Sequence, residues 1–148
     1  MKKERFKITP AVYLILIKDN KILLLRRCGS GYFDGSYSLP AGHLDGNETL
    51  KQAIAREAKE EIGVLLESTK LKLVHVMNRK ILNDERVDFF FTAKKYQGEP
   101  KIMEPDKCDN LNWFKLDNLP ENIIPYIRQV IDSFQNDIIY NEQEETGN

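Results

Sequence analysis

Hydrophobic positions come in blocks along this chain, and each change in their spacing marks a change of element. Residues 11 to 17 (AVYLILI) are almost continuously apolar, and a second short run, Ile22 to Leu25, follows the polar residues KDNK. Two such runs around turn-forming residues predict a pair of buried strands joined as a hairpin. The stretch from Arg26 to Gly42 has no period and carries Gly29, Gly31, Gly35 and Pro40, which predicts a long loop ending in an extended piece at residues 37 to 39. Residues 48 to 62 contain neither Gly nor Pro, place alanines at 53, 55 and 58, and are followed by Gly63 where a helix C-cap belongs, so they predict a helix. LKLVHVMNRK and ERVDFFFTAKKY then predict two strands joined by a turn at Asn83 and Asp84, and NLNWFKL predicts another. In ENIIPYIRQVIDSFQN, Pro125 falls in the opening turns and Ile124, Ile127, Val130, Ile131 and Phe134 share one face of a second helix.

Strands and helices interleave with no repeat and no linker, so they are expected to belong to one α+β or α/β/α layered domain. The length of 148 residues suits one domain, expected over residues 1 to 140, with the acidic residues 141 to 148 as an unstructured tail. Twenty-two basic against 23 acidic residues leave a net charge of -1, which gives no field for coating DNA or a membrane. The apolar run at 11 to 17 is broken by Lys18 and Asp19, with no cleavage-site pattern behind it, so neither a signal peptide nor a membrane span is expected. Cys28 and Cys108 suggest no disulfide framework, and a cytoplasmic setting is expected.

The charge is distributed unevenly within the first helix. At 100° per residue, Glu57, Glu60 and Glu61 share a wedge of about 100°, beside an apolar wedge of Ile54, Ala58 and Ile62. Like charges at these spacings repel by a few tenths of a kcal/mol each on an exposed helix, roughly, and more beside a core. Lys51, Arg56 and Lys59 could screen an ordinary solvated face. Alternatively, hard oxygen donors on one flank suit a divalent cation, Mg²⁺ or Mn²⁺, shared with substrate phosphates.

The wider pattern favours the cation. Residues 42 to 64 read G-x5-E-x7-R-E-A-x-E-E-x-G-V, which resembles the signature of the Nudix hydrolases, the family of MutT-like nucleotide pyrophosphohydrolases. Seven fixed positions agree: Gly42, Glu48, Arg56, Glu57, Glu60, Glu61 and Gly63. At ordinary residue frequencies, that agreement has a chance on the order of 10⁻⁹ to 10⁻⁸ at any one start point. Ala58 stands where the family usually has a bulky aliphatic, and Ala41 where a glycine often precedes the box. Neither change removes a carboxylate.

The resemblance implies a mixed sheet sandwiched between helices and an enzyme that directs water onto a diphosphate. It implies Glu57, Glu60 and Glu61 as metal ligands, with Glu57 also the candidate general base, and the Ala41 carbonyl as a further ligand. Arg56, pointing away from the wedge, is expected to brace the carboxylates and the loop, and Gly42, Glu48 and Gly63 to be structural, with Glu48 opening the helix. A carboxylate from beyond the box is sought among Glu104, Asp106 and Asp109. Arg26 is favoured over Arg27 to face the substrate, and Phe33 and Tyr37, near Tyr32, are candidates to contact a base. His43 and His75 read as packed or solvated. The expected substrate is a nucleoside triphosphate or related nucleotide, cleaved to a monophosphate and pyrophosphate. Arg79 and Lys80 stand where ADP-ribose hydrolases of the family often carry a proline. A non-catalytic nucleotide sensor and an RNA 5′ pyrophosphohydrolase are the alternatives, and oligomeric state is left open.

Overall fold

In the computed structural model, which describes residues 3–145, the first apolar block divides between two sheets. Strand β1 (Thr9–Ile15) enters a five-stranded sheet with β5 (Ala41–His43), β6 (Leu71–Ile81), β7 (Asp84–Ala93) and β9 (Tyr140–Glu145), in the order β5-β1-β7-β6-β9. β1 runs antiparallel to β5 and parallel to β7, and β6 runs antiparallel to β7 and parallel to β9, so the sheet is mixed. The second sheet gathers β2 (Ile17–Lys18), β3 (Lys21–Arg27), β4 (Tyr37–Ser38) and β8 (Cys108–Lys115), with β3 at its centre. The expected hairpin is therefore realised by β2 and β3. Asp19 and Asn20 both take positive φ, 51° and 62°, as a two-residue primed turn requires.

Alternation along β1 sets the layers. Val12 and Leu14 face a cluster with Ala53, Ile54, Ala58 and Ile62 of helix α1 (Leu50–Ile62), while Ala11, Tyr13 and Ile15 face one with Tyr126, Ile127, Val130 and Ile131 of helix α2 (Pro125–Gln135). Each helix thus covers one side of the five-stranded sheet, giving the α+β sandwich expected. α2 starts with Pro125 at its first helical position, where a missing N–H costs nothing. The described residues include no helix long and apolar enough to cross a membrane.

Two element boundaries differ from expectation. α1 begins at Leu50, capped by Thr49: its side chain accepts from the Gln52 N–H at 3.1 Å, and the Gln52 side chain accepts from the Thr49 N–H at 2.9 Å. Glu48 lies outside the helix, where the dipole argument does not reach it. Gly63 closes the helix with φ 67° and donates to the Ala58 and Lys59 carbonyls. Residues 141–145, expected as part of a loose tail, form β9 along the outer edge of β6; residues 146–148 of that tail lie outside the described residues. His75, inside β6, ties β9 in place, with its ring nitrogens against the Ile138 carbonyl and the Asn141 side chain at 2.8 and 2.5 Å.

The capping box predicts its own cost of removal. Thr49→Ala should lower the unfolding free energy by about 1 kcal/mol in urea denaturation, because one helix N–H loses its acceptor. An unchanged midpoint would show that the helix start is held by packing alone.

Candidate active site

The loop from His43 to Glu48 has one apolar side chain, Leu44, packed against the core on the α1 side, and polar contacts hold the rest. The Arg56 guanidinium binds Glu48 in a fork, Nε to Oε2 at 3.0 Å and Nη2 to Oε1 at 2.9 Å, and Nη2 also donates to the His43 carbonyl at 3.1 Å. Glu48 in turn accepts from the Asp45 N–H at 2.8 Å. Paired in this way, the Glu48 carboxyl is held below its usual range by Arg56 and then by the Asp45 amide. The remaining nitrogen, Nη1, turns to α1 and donates to Glu57 at 2.8 Å and Glu60 at 3.3 Å. Arg56 thus has the loop on one side and two carboxylates on the other.

Glu57 is pressed against β5. A side chain on Gly42 would overlap the Glu57 carboxyl carbon and Oε1, so only glycine leaves that carboxylate its place. Burial raises the Glu57 carboxyl above its ordinary pKa, against the opposing pull of Arg56. Glu61 lies deeper and is pushed up to about 8, first by burial and then by repulsion from Glu57 and Glu104; the Ala41 N–H, which donates to it at 3.1 Å, works the other way. Ala41 therefore meets the cluster through its amide hydrogen. At neutral pH Glu61 is mostly protonated until a positive charge arrives.

These groups line one cavity of about 740 Å³. Its walls draw on both sheets and both helices: Glu57, Glu60 and Glu61 from α1, Tyr13 from β1, Arg27 from β3, Tyr126 from α2, and Tyr32, Glu104 and Lys107 from loops. Among the three distant acids considered, Glu104 lines the cavity, whereas Asp109 is paired with Arg26 at 2.7 Å. Asp106 is not on the wall. No three His, Cys, Asp or Glu side chains among the described residues already enclose a metal position, since Arg56 holds Glu57 and Glu60 to itself.

The substrate-side expectations need correction. Arg27, not Arg26, reaches the cavity. Leu25 and Arg27 share the inward face of β3, while Arg26 lies across from Tyr37, with its guanidinium 5.9 Å from that ring, and pairs with Asp109. Tyr37 is buried, its hydroxyl donating to Asn110 at 2.9 Å and its ring edge-on to Phe114, and it is not on the cavity wall. Phe33 also lies off the wall and packs edge-on against Tyr32 at 4.7 Å. Tyr13, Tyr126, Arg86 and Lys107 line the cavity without having been singled out, because their approach depends on strand pairing and helix docking rather than local spacing.

Gly42→Ala should push the Glu57 carboxylate aside at little cost in stability, because the atoms in the way are the far end of a flexible side chain, and should lower turnover by about tenfold or more. Denaturant unfolding and a turnover assay measure the two effects. Unchanged turnover would mean that the place of the Glu57 carboxylate against the strand does not matter.

Comparison with known proteins agrees with this geometry. The NUDIX domain model matches residues 7–134. The ADP-ribose pyrophosphatase of Methanocaldococcus jannaschii is 33% identical over 123 residues, covering 82% of this chain and 71% of that protein. An NAD-capped RNA hydrolase NudC of Escherichia coli is 28% identical over 120 residues, and the match spans only 44% of its length. The crystal structure of a MutT NUDIX hydrolase from Burkholderia pseudomallei superposes with a TM-score of 0.79 at 29% identity, over 86% of this chain and 98% of that one. A box whose glycine seats one glutamate and whose arginine braces two, within a domain matched over most of its length, makes this chain a member of the Nudix family, a hydrolase of phosphorus-containing anhydrides.

Proposed function

We propose that the enzyme hydrolyses the diphosphate linkage of a nucleotide, with a divalent cation, Mg²⁺ or Mn²⁺, held by Glu57, Glu60 and Glu61. The observation that carries this reading is the joint placement of those three carboxylates on one cavity wall, one of them seated over Gly42 and another partly buried and bonded to the Ala41 N–H. Hydrolases of this family generally use divalent cations. The donor set fits such an ion chemically: all the available groups are hard oxygens, and Glu61 needs a neighbouring positive charge to ionise at neutral pH. When bound, the cation would neutralise the diphosphate and make water easier to deprotonate.

The chain's own residues supply the rest. Glu57 takes the proton of the attacking water, whose oxygen bonds to one phosphorus while the bridging oxygen leaves on the other phosphate. Arg56 holds Glu57 for this task and keeps the loop from His43 to Glu48 closed over the helix start. Ala41 orients Glu61 through its N–H, and its carbonyl remains the candidate further ligand. Glu104 is the carboxylate from beyond the box. Arg27 lines the cavity, as does Lys107, 3.7 Å from Glu104, and the two supply positive charge for the phosphates.

A nucleoside triphosphate, yielding monophosphate and pyrophosphate, is the first substrate reading. A second, ADP-ribose or a similar nucleoside diphosphate sugar, is favoured by the name of the relative from Methanocaldococcus jannaschii. A panel of nucleoside triphosphates, nucleoside diphosphate sugars, dinucleotides and capped RNA, assayed with Mg²⁺ and with Mn²⁺, separates them by products. Turnover should vanish with a chelator and return with added cation. Glu57→Gln and Glu61→Gln should each lower kcat by about 100-fold or more. Unchanged turnover in both variants would remove the assignment, and a flat panel would return the chain to the sensor reading.

A further inference from the structure

On the α2 side of the five-stranded sheet, behind the tyrosines of the cavity wall, lies an ion pair that the hydrolytic reading does not use. Arg79 of β6 and Asp88 of β7 are both fully buried and joined from Nε to Oδ2 at 2.6 Å. Among the described residues, Arg79 Nη2 and Asp88 Oδ1 have no hydrogen-bond partner, and Nη1 reaches the Tyr32 hydroxyl at 3.5 Å. Burial of charge is expensive, and a half-satisfied pair is a poor way to hold a sheet that apolar residues of the same volume would hold better. Stability alone therefore does not explain it.

The pair's contacts point to the cavity. The Arg79 guanidinium lies 3.8 Å from the centre of the Tyr126 ring. Tyr126 meets Tyr13 through their hydroxyls at 3.3 Å, and Phe33 lies edge-on to it at 6.5 Å. Tyr32 is gripped from two sides: Arg27 lies 5.5 Å from its ring and donates to its carbonyl at 2.8 Å, while its hydroxyl turns to Arg79. Tyr13, Tyr32 and Tyr126 line the cavity, and Tyr32 is 37% exposed. Asp88 fixes Arg79, and Arg79 touches two of the three rings.

We propose that Arg79 and Asp88 are positioning residues for the base of the nucleotide: through the buried Tyr126 ring and the Tyr32 hydroxyl, they set the partly exposed Tyr32 ring as the platform on which a flat heterocycle docks. A phosphate gains little from an aromatic face, whereas every nucleobase has a face to stack. The inference rests on the nucleotide reading above and names the part of the substrate that this side of the cavity receives.

Calorimetric titration with AMP, GMP, CMP and UMP against ribose 5-phosphate isolates the base from the sugar phosphate. The wild-type protein should bind at least one nucleoside monophosphate about tenfold more tightly than ribose 5-phosphate. In the apolar double variant Arg79→Met/Asp88→Leu and in Tyr32→Ala, that ratio should fall to about threefold or less, with ribose 5-phosphate affinity unchanged. Tyr32→Phe, which removes only the hydroxyl facing Arg79, should reduce it part of the way. An unchanged ratio in the folded double variant overturns the proposal, as does equal loss of both affinities. Should the double variant fail to fold, the two Tyr32 variants decide, and an unchanged ratio in both overturns it. Absence of any base preference in the wild type does so whatever the turnover; a preference without turnover spares this inference and removes only the hydrolytic one.

Discussion

The Arg56 guanidinium is the contact on which the acidic side of this molecule depends. It holds Glu48 and the His43 carbonyl with one edge, and Glu57 and Glu60 with the other. Without it, the loop that follows β5 would lose its side-chain hydrogen bonds to α1, and Glu57 and Glu60 would lose the positive charge closest to them. The contact also explains how a chain tolerates such a cluster before any cation binds: one internal arginine does part of the neutralising. Glu61, beyond its reach, stays protonated instead, with its pKa pushed up to about 8. Two solutions to the same electrostatic problem thus stand side by side on one helix.

The opposite wall of the cavity is built differently. There Tyr13 and Arg27 come from strands, Tyr126 from α2 and Tyr32 from a loop, and the buried pair of Arg79 and Asp88 stands behind them. β5 separates the two halves, and its Gly42 lets Glu57 come against the strand. In the proposed reading, a diphosphate-bearing substrate would meet acids and a bound cation on one side and aromatic rings on the other. The same cavity can then divide the tasks of holding the reacting phosphates and recognising what they are attached to.

Most of the acidic side was legible in the sequence because its geometry is local. Spacing along a helix fixes which residues share a face, so Glu57, Glu60 and Glu61 could be grouped, and Ile54, Ala58 and Ile62 assigned to the core, before any tertiary contact was known. Thr49 was overlooked as the cap in favour of Glu48, although the T-x-x-Q pattern was present. The choice between Arg26 and Arg27 was not legible in the same way. Alternation says that they face opposite sides, but which side meets the cavity depends on how β3 pairs with β4 and β8, and the register shifts between those two residues. β9 was missed because a polar edge strand, YNEQEE, has no apolar period, and its pairing with β6 is parallel and distant in sequence. Arg79 and Asp88 lie on adjacent strands, and only the register of β6 with β7 brings them together.

The central claim is that the glutamates of α1 form a cation platform held in readiness by Arg56. The most direct test is an electron paramagnetic resonance titration of free Mn²⁺ with the wild-type protein and with Glu57→Gln/Glu61→Gln. The account predicts saturable loss of the free-ion signal in the wild type and none in the double variant, both remaining folded. Equal Mn²⁺ uptake by the two proteins would contradict it.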